Sequence, residues 1–277
     1  MIAIRKPGPL ITVLLHAALL LVTLFALFPI YFTFQASLQP GNTLYSTELQ
    51  LWPANPTGEN YAYVLFSLPM VTWLRNSFIV ALATTVVTLV IAVSAAYALS
   101  RFRFRGRGSL MTIMLALQAF PSLLALFAYY LLLNQVGLTN TLVGLVLVYA
   151  AGAIVLNIWN LKGYFDTIPV DLEEAAMIDG CTPTQAFLRV MLPLARPALA
   201  TTALFGFLAG WNEYIIAQTL LFDEALYTAP VGIFGLQDGF RNPWGWFAAA
   251  SFIVSVPVVI LFLILQRNLV SGLTQGG

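Results

Sequence analysis

Charged side chains are absent from five stretches of the sequence, at positions 10–34, 76–100, 108–161, 197–212 and 242–266. A helix rises only ~1.5 Å per residue, so crossing ~30 Å of hydrocarbon takes about 20 residues. The first, second and fifth stretches have that length. The third is long enough for two crossings, and the polar break from Asn134-Gln135 to Thr139-Asn140, with Gly137 inside it, divides it. The fourth continues past Glu213 to Phe222. The pattern predicts an all-α integral membrane protein with six transmembrane helices, at 10–34, 73–100, 109–133, 141–162, 198–222 and 243–267. A transmembrane β-barrel would instead show short segments of alternating hydrophobicity, which this sequence lacks.

Composition agrees, since 60% of the 277 residues are hydrophobic and only 8% are charged. That leaves too little polar side chain to solvate a globule, so lipid is the expected solvent. Lys and Arg mark cytoplasmic loops. With the N-terminus inside, the cytoplasmic residues are Arg5, Lys6, Arg101, Arg103, Arg105, Arg107, Lys162, Arg189, Arg196 and Arg267, and only Arg75 and Arg241 fall outside. The expected topology is therefore a membrane crossed several times, with both termini cytoplasmic. Segment 1–9 is the N-terminus, 10–34 a retained first helix rather than a cleaved signal, and 35–72 an extracytoplasmic cap. Residues 73–267 form a five-helix core, and 268–277 a cytoplasmic tail. The net charge of +1 gives no reason to expect a nucleic-acid partner.

The cap is rich in turn residues, among them Pro40-Gly41-Asn42, Trp52-Pro53 and Asn55-Pro56. Leu51, Trp52, Tyr61, Tyr63, Leu65 and Phe66 are its candidates for burial. His16 reads as a packed or interfacial residue of the first helix. Pro29, Pro121 and Pro257 are expected to bend their helices.

The cytoplasmic loop 163–197 is the most informative part of the sequence. Asp171 reads as the N-cap of a short helix with Glu174 three residues on, and Gly180 as its stop. Thr182, Pro183 and Gln185 read as a second start, with Thr as N-cap, Pro first and Gln third. Ala186, Phe187, Val190 and Met191 give that second helix an apolar stripe before Pro193 ends it. Two short helices at the inner face of the membrane are the expected result.

Within this loop, Glu174-Ala175-Ala176-Met177-Ile178-Asp179-Gly180 is followed, after nine intervening residues, by Val190-Met191-Leu192-Pro193. The run resembles the loop motif of ABC importer permeases, departing from it at Val190 and Cys181. Phe28-Pro29, Arg75-Asn76-Ser77, Tyr97-Ala98-Leu99-Ser100-Arg101, Lys162-Gly163-Tyr164-Phe165 and the tail 268–274 look like the shorter permease of maltose/trehalose-type carbohydrate importers. The resemblance implies a non-catalytic pore subunit whose coupling loop, between the fourth and fifth helices, docks on a separate ATPase. Glu173, Glu174, Ala175, Ala176, Asp179, Gly180, Leu192 and Pro193 are the residues it points to. It also implies partners: two copies of an ABC ATPase subunit carrying the ATP and Mg, a second and longer permease, and an extracytoplasmic sugar-binding protein. The implied cargo is a sugar, maltose, trehalose or a related oligosaccharide.

The residues themselves offer little chemistry. The two lysines, Lys6 and Lys162, lie outside any phosphate-binding Gly-rich turn, and the lone Cys181 excludes a disulfide or Cys-based metal site within the chain. No cofactor is expected in this chain, and energy must come from a partner or an ion gradient. Ion-coupled secondary transport is the alternative, with Glu213 as its sole intramembrane carboxylate. A sugar path needs aromatic faces and hydrogen-bonding groups. Trp211, Asn212, Glu213, Gln118 and Asn157 are the candidates, against a plain role in interhelical hydrogen bonding.

Overall fold

The computed structural model describes residues 8–41, 51–237 and 242–274. Expectations placed on Arg5, Lys6, Asn42, Arg241, the side chain of Arg267 and the extreme ends of the chain lie outside the described residues.

All regular elements among the described residues are helical, in the order α1 (Pro9–Ser37), α2 (Glu59–Phe66), α3 (Met70–Arg101), α4 (Arg107–Gln118), α5 (Ser122–Gln135), α6 (Leu142–Thr167), α7 (Asp171–Ile178), α8 (Pro183–Leu194), α9 (Arg196–Trp211), α10 (Ile215–Leu220), a short 3-10 turn (Glu224–Leu226), α11 (Ala229–Phe234) and α12 (Trp244–Thr274). By length and apolarity α1, α3, α6 and α12 can each cross a membrane. Counting each of the bent pairs α4/α5 and α8/α9 as one crossing raises the number to as many as six.

Two expected spans are broken. The third turns by 89° between α4 and α5, where Pro121 follows Phe120. Proline donates no backbone hydrogen bond and drives the residue before it out of the helical region, so the chain turns there instead of merely bending. The expected fifth span, 198–222, stops at Trp211 and resumes as α10, and α8 meets α9 at an angle of 78°. By contrast α1 continues through Pro29 and α12 through Pro257. Helix α12 also runs on to Thr274, beyond the expected end at 267.

The contacts divide the chain into two units, one of residues 1–69 and 236–253, the other of 70–235 and 254–277. In the first, α1 leaves almost all its apolar side chains uncovered and buries only Gln35, Ala36 and Ser37 at its end. His16 is exposed and its Nδ1 donates to Thr12 O of its own helix at 2.7 Å, so it is not packed within the chain. Asn60 fastens α2 by donating from Nδ2 to Ser37 O (3.0 Å) and Gln39 O (2.8 Å). Tyr63 stacks on Trp246 with centroids 3.8 Å apart. The cap therefore packs differently from expectation: Leu51, Trp52 and Phe66 are exposed, whereas Asn60 and Val64 are buried. An eight-residue helix has one narrow inward face, and these residues, four apart, occupy it.

In the second unit α3, 32 residues long, is the element around which the others pack. Val80 packs with Leu145, Tyr149 and Leu220 toward its start; Ala92, Ala96 and Leu99 pack with Leu161, Phe165 and Met191 toward its end. Lipid is as apolar as these side chains, so close fit rather than water exclusion holds such helices together. Small residues allow that fit. A Cβ on Gly210 would sit 2.8 Å from Ala81 Cα, which places the backbones of α9 and α3 almost in contact.

Candidate functional site

Helix α7 is built from its two ends. Its cap residue is Val170, without a side-chain cap, so Asp171 is the first helical residue rather than the N-cap. Asp171, Glu173 and Glu174 still occupy the first turn, where the helix dipole favours negative charge. At the other end Gly180 adopts φ +95°, and two backbone bonds close the helix, Cys181 N to Ala176 O (3.0 Å) and Gly180 N to Met177 O (3.1 Å). This crossed pair is a Schellman motif, and the left-handed residue it requires strains any side chain larger than hydrogen.

Helix α8 starts as the sequence predicts. Thr182 Oγ1 accepts from Gln185 N and Gln185 Oε1 accepts from Thr182 N, a full capping box with Pro183 in the first turn. It does not stop at Pro193. Residues Phe187–Met191 form a turn of π-helix, and the helix passes through Pro193 to Leu194 before bending at Ala195. A wider turn shifts the carbonyl ladder, which lets a residue without an N–H sit inside the helix.

The face of α7 that carries the motif is outward. Glu174, Ala175, Asp179 and Gly180 are exposed, Ala176 is half-buried and Ile178 is 86% exposed. On α8, Leu192 is half-buried and Pro193 exposed. Glu173 is different: it is buried and turned inward. Its Oε1 accepts from Arg101 Nε at 2.5 Å and its Oε2 from the Tyr97 hydroxyl at 2.9 Å. Arg101 uses its other nitrogens on Ser100 Oγ and Phe165 O through Nη1, and on Ile168 O and Met191 Sδ through Nη2. Beside it Asp166 accepts from the Ser100 hydroxyl at 2.7 Å and from Lys162 Nζ at 2.5 Å. Tyr97, Ser100, Arg101 and Glu173 border a cavity of about 450 Å³ that Arg103, Arg107, Glu174 and Met177 also line.

Sequence reading assigned Tyr97 and Arg101 only to a family-like run, and Arg101 also to topology. Their spacing of four on one helix places both on one face, which is the signal that finds them.

The candidate path residues have separate environments. Trp211 is buried, stacked on Phe207 (5.2 Å, 18°) and edge-on to Phe78 (4.8 Å, 69°). Glu213 is engaged within the chain: its carboxylate accepts from Ile216 N and Ala217 N at the start of α10, and from the Tyr149 hydroxyl at 2.7 Å. Asn157 is buried, donates to Ala153 O at 3.0 Å, and leaves its Oδ1 without a partner. Asn212, in the break after α9, and Gln118, at the end of α4, are exposed. No group of three metal-binding side chains occurs among the described residues.

Residues 88–275 match the model of the family described as "Binding-protein-dependent transport system inner membrane component". The chain is 39% identical over 254 residues to the galactooligosaccharides transport system permease protein GanQ of Bacillus subtilis (strain 168), covering 90% of this chain and 89% of that protein. It is 39% identical to the maltose/maltodextrin transport system permease protein MalG of Photorhabdus laumondii subsp. laumondii, with 95% of each chain covered. Against the trehalose transport system permease protein SugB of Mycobacterium tuberculosis it is 37% identical, covering 92% and 93%. Among solved structures, a crystal structure of a bacterial ABC transporter that imports the acidic polysaccharide alginate superposes with a TM-score of 0.79, at 26% identity, over 95% of this chain and 99% of that one.

Proposed function

The chain belongs to the family of binding-protein-dependent transport system inner membrane components, and from that premise we propose how it works as the pore subunit of an ABC sugar importer. It is a multi-pass membrane protein, and family membership sets aside ion-coupled secondary transport. The fold crosses the membrane six times, with 35–72 outside, both termini inside and 163–197 as the coupling loop between the fourth and fifth spans. Two ATPase subunits bind ATP and Mg and perform the hydrolysis. A second, longer permease completes the pore, and an extracytoplasmic sugar-binding protein delivers an oligosaccharide.

The observation that carries this reading is the outward face of α7. Ile178 is almost fully exposed beside Glu174, Ala175 and Met177. Covering such an aliphatic side chain is worth about 1.5–3 kcal/mol, and small alanines let a partner surface approach closely. ATP-driven closure of the ATPase pair displaces α7, and the pore helices alternate between inward and outward openings. For a decisive shift the ATPases must bind the two states with affinities differing by about 5.5 kcal/mol.

Along the sugar path, Asn212 and Gln118 are exposed amides that supply hydrogen bonds to hydroxyl groups, and Asn157 Oδ1, a buried acceptor without a partner, joins them only when the helices around it part. Trp211 and Glu213 shape the break that presents Asn212.

The test is reconstitution of the whole complex in liposomes with Ile178→Asp, Glu174→Lys or Gly180→Val in this chain. Each variant is expected to insert normally while ATP hydrolysis and sugar uptake become uncoupled, with Ile178→Asp also weakening ATPase co-purification. Normal ATP-dependent uptake by all three would refute the assignment of coupling to this face.

A further inference from the structure

Behind the outward face of α7 lies a buried ionic joint that the outward face does not explain. One guanidinium, Arg101 at the last position of α3, reaches Glu173 on α7, the carbonyls of Phe165 and Ile168 at and just beyond the end of α6, and Met191 in the π turn of α8. Four elements thus meet on a single planar group. The side chains of Arg101 and Glu173 are only 10% and 6% exposed. Tyr97, one turn earlier on α3, donates to the second carboxylate oxygen and completes its coordination.

A buried ion pair is a poor device for stability alone, because desolvation offsets most of its attraction and packed hydrophobic residues often do as well. Its distinctive property is directional. The planar fork fixes distance and orientation at several acceptors together, which a lysine ammonium or an aliphatic contact does not. Helix α7 itself is only eight residues long and packs mainly against α8. Without the joint its position relative to α3 would be set by side chains that slide.

We infer that Arg101, Glu173 and Tyr97 are positioning residues that lock α7 to the end of α3, so that movement of the coupling face is carried into the pore rather than absorbed beneath it. The inference rests on the reading that α7 engages the ATPases. It adds a division of labour: Glu174, Ala175 and Ile178 face the partner, and Glu173 with Arg101 transmits. The stiffness of this joint then determines how much sugar enters per ATP hydrolysed.

The experiment uses the full complex in liposomes and measures three quantities for each variant: ATPase co-purification, stimulation of hydrolysis by the sugar-loaded binding protein, and sugar taken up per ATP. The variants are Tyr97→Phe, Glu173→Gln, Arg101→Lys and the double change Arg101→Met with Glu173→Met, which removes both charges and keeps the site packed. The expected result is ATPase co-purification unchanged in all four, with uptake per ATP reduced several-fold in Glu173→Gln, Arg101→Lys and the double variant. Tyr97→Phe should show a smaller loss. Uptake per ATP at the unaltered level in the double variant, assembled and folded, would overturn the inference and leave the pair a structural feature. If the unaltered chain itself fails to co-purify with an ATPase, the reading of the coupling face fails instead, and the two failures are thereby distinguished.

Discussion

The two ends of α3 are tied down in opposite ways. At its start, neutral groups hold the chain that follows α10: Asn76 Nδ2 donates to Ala225 O (2.9 Å) and Tyr227 O (3.0 Å), and Ser77 Oγ accepts from Ala229 N (2.8 Å). At its end, charge holds α7 through Arg101 and Glu173. Asn76 and Ser77 are as deeply buried as Glu173, so solvent exposure does not separate the two. What differs is the consequence of loss. Removing a neutral donor leaves carbonyls that need a partner; removing one charge leaves the other buried and unpaired. The neutral clasp therefore suits a fixed attachment, and the ionic one suits a joint that must keep its geometry under load.

The comparison can be broken most directly at the charged end. Arg101→Ala strands Glu173 and is expected to cost about 3–5 kcal/mol, measured by thermal unfolding of the chain in detergent. A loss no greater than that of Asn76→Ala would erase the distinction. Next, Asn76→Ala leaves the Ala225 and Tyr227 carbonyls without their donor and should cost about 1–3 kcal/mol. Hydrogen exchange should rise in residues 225–229 while uptake per ATP in the assembled complex stays unaltered. Uptake per ATP falling as far as for Glu173→Gln would show that both ends transmit. The smallest effect is expected from Ser77→Ala, about 1 kcal/mol for the Ala229 N–H, read by the same unfolding assay and without change in transport.

Much of the fold was legible because apolar run length speaks directly to bilayer thickness. The runs that became α1, α3, α6 and α12 needed no knowledge of neighbours. Where reading failed, a local group had two uses. Pro121 was visible as a bend, but the size of the turn it makes, 89°, was not. Glu213 looked like chemistry in an apolar run, whereas its carboxylate caps the free N–H groups of α10. The Thr182 capping box was fully readable because its partners lie three residues apart. Asp171 was one position too late to cap, and a boundary that fine rests on backbone angles. Arg101 shows the deepest limit. Its basic charge sufficed to place it by topology, while its partners Phe165, Ile168, Glu173 and Met191 lie about 65–90 residues away, and only folding brings them together.

The length of α3 has a further consequence, in terms of lipid. Its 32 residues extend about 48 Å, against a hydrocarbon core of ~30 Å. Asn76 and Arg101 stand about 38 Å apart along it, at the rise of an α-helix, so both clasps fall near the headgroups rather than in the oil. A helix this long adapts to thinner or thicker lipid by changing its tilt. With each end clasped, at Asn76 and at Arg101, tilt is not a private adjustment of α3: a change in acyl-chain length would load both attachments together.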